Sequence, residues 1–274
     1  MKIRIKIGVI GYLPFEFNRK LIKEWKSEIF EIVDDIEDFH FKNDADSLDW
    51  SFSDNLLSQE LPAKYDGDFF IGITYVPIED NFYCRRLENN RVIISYFQIH
   101  NFLRAENIPV ENFLLRTLYA SCLVFLRNEQ TIPKTIEWIG YTHDDTRGCL
   151  FDMNGIKSDV IYSLDPPIIC DDCINRIRQN KVPDKTITQI KKEISHIRKA
   201  KYYRINRFVK RKPLLSIAIS GAFGILISLT ASIIYGSLFN PQKNYENQNI
   251  IQDSIKVDKS RVPYKFGDSV SIRK

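Results

Sequence analysis

Three of the chain's five cysteines fall within residues 142–173, "THDDTRGCLFDMNGIKSDVIYSLDPPIICDDC", with one of its four histidines. Cys170 and Cys173 form C-x-x-C, a spacing that lets two thiolates reach one tetrahedral ion from a tight turn. Cys149, twenty-one residues upstream, supplies a third soft ligand. His143 or Asp144 can complete the set. A carboxylate is the harder ligand and less suited beside thiolates, so the expected ligands are His143, Cys149, Cys170 and Cys173, holding one structural zinc per chain. The segment is polar, with Gly155 and Pro166-Pro167 as breakers. A zinc clamp of on the order of 10 kcal/mol can order such a loop where an apolar core cannot. Two other readings compete: free thiols in a loop, and a redox pair. The redox pair fits less well, because the C-x-x-C of thioredoxin-like proteins follows a strand and opens a helix. His40, His100 and His196 have no partner at metal spacing, and Arg147 beside Asp144 and Asp145 reads as local ion pairing.

The elements that must position this segment lie upstream. "IRIKIGVIG" near the start reads as a strand. Its apolar part is short, is broken by Pro14 and lacks a small-residue cleavage site, so it does not read as a signal peptide. "NRKLIKEWKSEIFEIV" carries Leu21, Ile22, Trp25, Ile29 and Phe30 at helical spacing. The acidic stretch to Asp54 reads as loops with a short strand. "GDFFIGITYVPI" and "RVIISYFQI" are buried strands, and "VENFLLRTLYASCLVFLRN" is a central helix, apolar nearly all round. The fold class is therefore α/β (α+β), a mixed sheet with packed helices over 1–180. From Thr186, a capping box with Gln189 opens a helix whose Ile187, Ile190, Ile194 and Ile197 step at coiled-coil spacing. Residues 184–212 are expected to form a basic amphipathic stalk; the competing reading packs its apolar face on the domain itself.

Charge is unevenly spread. Residues 28–54 hold ten acidic side chains against Lys42 alone, and residues 191–212 hold ten basic ones against Glu193 alone. Such a block points to nucleic acid or a membrane. The membrane is favoured and nucleic acid set aside, because no charge occurs from Pro213 to Gln242. That run is long enough to cross about 30 Å of hydrocarbon. The expectation is a single-pass span over 213–239, with the amino-terminal domain cytoplasmic, the basic block touching anionic lipid headgroups, and a polar, disordered tail over 240–274. Ser216, Ser220, Gly224, Ser228, Ser232 and Gly236 recur every fourth residue, a ridge of small side chains suited to homo-oligomer contacts through the span.

The cysteine segment resembles the archaemetzincins, a metzincin family of zinc metallopeptidases. Their pattern runs H-E-x-x-H-x-x-G-x-x-H-C, a short gap, C-x-M, a longer gap, then C-x-x-C. Here His143 is followed by Asp144, four residues and Cys149; Met153 follows closely and C-x-x-C comes later. Gly140 stands three residues before His143, and the order of upstream elements is similar over roughly residues 1–178. The resemblance implies a metzincin-like fold with a structural zinc bound by the cysteines. It also implies a lost catalytic zinc. If the central helix carries the H-E-x-x-H positions, they read Leu123 to Arg127; counted back from His143, they read Pro133 to Glu137. Either way a histidine and the general-base glutamate are missing.

Three functions follow as expectations. The first is a membrane-anchored, non-catalytic module that binds or senses an unidentified protein, peptide or small molecule. The second is a membrane-acting effector restrained by its soluble domain. The third is an active zinc peptidase with atypical ligands near His143 and Glu137.

Overall fold

Runs of β-branched residues build the centre of the sheet. The computed structural model describes residues 2–135 and 142–238. Its strands are β1 (Ile3–Ile10), β2 (Phe30–Ile32), β3 (Glu37–Phe39), β4 (Phe69–Thr74), β5 (Cys84–Leu87) and β6 (Arg91–Ser95). They form one mixed sheet in the order β2-β1-β4-β6-β5. β1, β4 and β6 run parallel, and β5 closes one edge antiparallel to β6. At the other edge β1 pairs with β2 through Ile3–Ile5 and with β3 through Gly8–Ile10. Outside β5, the backbone of Thr135 donates to the Arg86 carbonyl, and the Thr135 hydroxyl accepts from the Arg86 N–H.

The helices are α1 (Arg19–Lys23), α2 (Asp54–Glu60), α3 (Ile99–Ala105), α4 (Val110–Arg127), α5 (Asp171–Gln179), α6 (Asp184–Ile194), α7 (Lys201–Arg211) and α8 (Pro213–Leu238). Side chains alternate across a strand, and the core divides accordingly. Ile5, Ile7, Phe69, Ile71, Val92 and Ile94 share a cluster with α4. Phe70 and Ile93 point the other way, into a smaller cluster with Leu56 and Leu57 of α2. The α/β architecture of the sequence reading is thus present, with helices on both faces of a mixed sheet.

The expected helix over "NRKLIKEWKSEIFEIV" stops at Lys23, and Phe30–Ile32 is strand β2 instead. Tertiary contacts override the local spacing. The Ser27 hydroxyl accepts from the N–H groups of Ile29 and Phe30, and Phe30 then pairs with Ile3. Ser27 is itself held by Glu193 of α6, at 2.6 Å.

The single stalk helix expected over 184–212 is two helices, α6 and α7, and α6 packs on the domain. Ile187, Ile190, Ile194 and Ile197 are all buried in the α4-side cluster. The capping box is not formed: α6 begins at Asp184 after Pro183 and has no side-chain cap. Glu193, 7% exposed, accepts hydrogen bonds from Ser27 Oγ, Tyr119 Oη, the Glu28 N–H and Gln189 Nε2. Trp25 Nε1 donates to the same Tyr119 oxygen. Burial pushes Glu193 up, but the bonds from Ser27, Tyr119, Glu28 and Gln189 outweigh it and hold the carboxyl below its ordinary value. Tyr119 is pushed upward, by burial first and then by Glu193.

The chain divides into two compact units, one up to Ile205 and one from Asn206. In the second, Pro213–Gly236 of α8 is 24 residues of mean hydropathy 2.2, wholly unburied. At 1.5 Å per residue it measures about 36 Å, long and apolar enough to cross a membrane. The tail expected over 240–274 lies outside the described residues.

Candidate metal centre

Residues 142–173 hold together through single contacts rather than paired strands. The His143 N–H donates to the Phe151 carbonyl, and the Met153 N–H returns to the His143 carbonyl. Cys149 bridges to Ile168, flanked by bonds from Leu150 N–H to the Ile168 carbonyl and from Ile168 N–H to the Gly148 carbonyl. These two bridges bring the start, middle and end of the segment together. Gly148 makes the turn between them at φ +86, where a Cβ would come within 3.0 Å of the Tyr162 carbonyl oxygen. Such a φ favours glycine. Asp152, buried, accepts from the N–H groups of Gly148 and Asn154. Arg116 of α4, also buried, donates to Ser163 Oγ at 2.8 Å. Cys170 caps α5, and Cys173 follows in its first turn.

The four sequence-selected residues meet. The ligand-capable atoms of His143, Cys149, Cys170 and Cys173 all lie within 4.8 Å of one another. Cys149 and Cys173 are buried; the other two are partly exposed. Cys149 Sγ and Cys173 Sγ are 3.9 Å apart, and Cys170 Sγ is 3.5 Å from His143 Nε2. A tetrahedral zinc with Zn–S of about 2.3 Å spaces its sulfurs about 3.8 Å apart, and a sulfur and an imidazole nitrogen about 3.5 Å apart. The donor set and its spacing therefore fit one zinc ion. Asp144 is not part of the group.

The electrostatics suit a cation. The Cys149 thiol is pulled down to about 4. Its hydrogen bond with Cys173 is the first cause, opposed by burial and aided by the Cys170 and Phe151 backbone and by His143. Cys173 is pushed upward by the same bond and by burial. A metal ion would compete with protons for these sulfurs.

Other expectations from the sequence resolve differently. C-x-x-C opens a helix, α5, but an isolated bridge at Ile168 precedes it rather than a strand, so only half of the thioredoxin-like context is present. What sets this site apart from a bare dithiol is the approach of Cys149 and His143. Arg147 pairs with Asp159 at 3.2 Å and lies over the Tyr162 ring, rather than pairing with Asp144 or Asp145. His100 stacks on Phe15, with ring centroids 4.5 Å apart, and burial, then Arg104, lowers its pKa. Leu123 and Val124 of α4 are buried in the apolar core. Glu137 and Gly140 lie outside the described residues. Among the described residues no second cluster of three or more His, Cys, Asp or Glu side chains is placed to hold a metal. Gly148, Asp152 and Arg116 were not singled out for building the loop. A glycine directly before Cys149 is the signal that could have found the turn.

No protein-family profile matches the chain, and no curated protein matches it. Among solved structures, archaemetzincin from Methanopyrus kandleri aligns over 66% of this chain and 96% of its own, at 13% identity and a TM-score of 0.38.

Proposed function

We propose that this chain is a membrane-anchored, non-catalytic binding module in which one structural zinc shapes a recognition loop. The observation that carries the reading is the meeting of His143, Cys149, Cys170 and Cys173, whose ligand-capable atoms all lie within 4.8 Å of one another. A catalytic zinc needs an open coordination position and a nearby base. A zinc held by all four side chains would have a closed shell, with three of its ligands sulfur. The ion would hold the loop, with exposed Met153, Ile156, Tyr162 and Ile168, in one conformation for an unidentified protein, peptide or small-molecule ligand.

Two further parts of the proposal concern α8. The ten basic side chains of 191–212 precede it, which by the positive-inside rule keeps the amino-terminal domain cytoplasmic. The small-residue ridge from Ser216 to Gly236 would let copies of α8 pack closely. Ser216 Oγ already bonds the carbonyl of Lys212, just before α8, so this hydroxyl needs no partner on another copy to be satisfied.

Elemental analysis of the purified full chain tests the metal site. One zinc per chain, lost in Cys170→Ser and Cys149→Ser, is the expected result. Metal-free wild-type protein from zinc-replete cells would refute it. Two zincs per chain with chelator-sensitive proteolysis would favour the peptidase instead. Resistance of the full chain to alkaline carbonate extraction tests the anchor.

A further inference from the structure

Helix α7 is amphipathic in a way that a water-exposed connector does not require. With 3.6 residues per turn, positions 202, 205 and 209 fall on one side, and the sequence places Tyr202, Ile205 and Val209 there. All three are exposed, Tyr202 at 70%, Ile205 at 63% and Val209 at 45%, with Phe208 beside them at 40%. The opposite side carries positions 204, 207 and 211, all arginine, and Lys201, Lys210 and Lys212 flank the helix. No acidic residue occurs between Ile194 and the apolar helix that starts at Pro213.

We propose that α7 is an interfacial helix that reads anionic lipid: Tyr202, Ile205 and Val209 enter the acyl boundary, and the basic positions of the helix meet phosphate and carboxylate headgroups. The proposal rests on the membrane anchoring above and adds a lipid preference and a rotational setting. Apolar burial alone would seat such a face on any bilayer, but the clustered positive charge makes the seating depend on anionic lipid. Lipid is chosen over an acidic protein because α7 runs directly into the candidate span, whose first turns would bring it to the surface. Long arginine and lysine stems can lie along the boundary while their heads stay in water.

The test uses the full chain reconstituted in vesicles of phosphatidylcholine alone or with about 30 mol% phosphatidylserine, a composition that supplies the surface potential. A benzophenone amino acid is placed at Ile205, at Val209 or at position 207. In phosphatidylserine vesicles, acyl-chain adducts should form at Ile205 and Val209 and be scarce at position 207. Removing phosphatidylserine, or substituting Arg204→Glu with Arg211→Glu, should lower the Ile205 adduct by about fivefold per basic side chain whose attraction is lost. Equal labelling at all three positions, labelling independent of phosphatidylserine, or adducts to protein rather than lipid would overturn the proposal. Carbonate extraction of the same vesicles separates the two readings. A chain that is extracted refutes the anchor, whereas a chain that stays and yet shows no lipid adduct at Ile205 refutes the interfacial helix alone.

Discussion

Helix α6 and the loop 142–173 are both fastened to the α4 side of the same sheet, by different means. α6 brings three isoleucines, with Ile197 just past its end, and one carboxylate that satisfies, and is satisfied by, four donors. The loop brings Cys149, Leu150, Phe151, Val160, Leu164, Ile169 and Cys173 into the same apolar cluster. Its polar parts rely on two isolated bridges, on bonds from Arg116 to Ser163 and from Gly148 to Asp152, and on a four-atom cluster that suits an ion. The first fastening is complete in the protein alone. On the proposed reading the second also draws on a metal ion, so the two should come apart under different insults.

Zinc removal is the largest expected effect. A structural zinc site is worth on the order of 10 kcal/mol, so chelation, or Cys173→Ser, should abolish amide protection across 142–173 while leaving α6 protected. Hydrogen exchange measures both at once, and equal loss in α6 would break the contrast. Next comes Glu193→Ala, which strands Ser27, Tyr119, the Glu28 N–H and Gln189 and should cost about 3 kcal/mol. Urea unfolding should record that loss with zinc stoichiometry unchanged; a lost zinc would mean the two fastenings are one.

The same carboxylate has a pH signature. Its folded pKa lies below the unfolded value, so its contribution is fully present above the unfolded pKa and is lost as pH falls through the folded one. The stability gap between wild type and Glu193→Gln should be level from neutral pH to about 5 and narrow below the ordinary glutamate pKa of about 4.3. A gap that widens on acidification would contradict the assigned shift.

Gly148→Ala probes the loop more gently. Forcing a side chain to φ +86 against the Tyr162 carbonyl should cost about 1–3 kcal/mol, seen as weaker zinc retention in a chelator competition, with the urea midpoint of the sheet unit unmoved. Smallest of all, Arg147→Ala removes a pair whose arginine is 62% exposed, and should change stability by about 0.5 kcal/mol or less.

The two fastenings also differ in how legible they were. β1, β4, β6 and α4 could be read because each is a run of apolar residues whose period or length admits one answer. The metal set could be read because thiols are scarce and C-x-x-C is a short-range signal. Glu193 could not: its partners Ser27 and Tyr119 lie 166 and 74 residues away, and no local pattern marks them. That long-range bond also explains why the helix expected through Ser27 yields to β2. β5 was missed for a related reason. "CRRL" looks solvated, yet Arg85 is buried against Asp54 with its guanidinium bonded to both carboxylate oxygens. Helix α3 begins after Gln98 at φ +64, without a side-chain cap to announce it.

The borders of the sheet carry one more consequence. One border is shared between two three-residue strands, β2 and β3. The other ends in an arginine-bearing strand whose Arg86 backbone is already engaged by Thr135. Short, charged or occupied rims blunt the template that an open strand offers to a neighbouring molecule. Growth by strand addition is therefore discouraged at both rims, and copies of the domain can be crowded together without their sheets being drawn into a continuous ribbon.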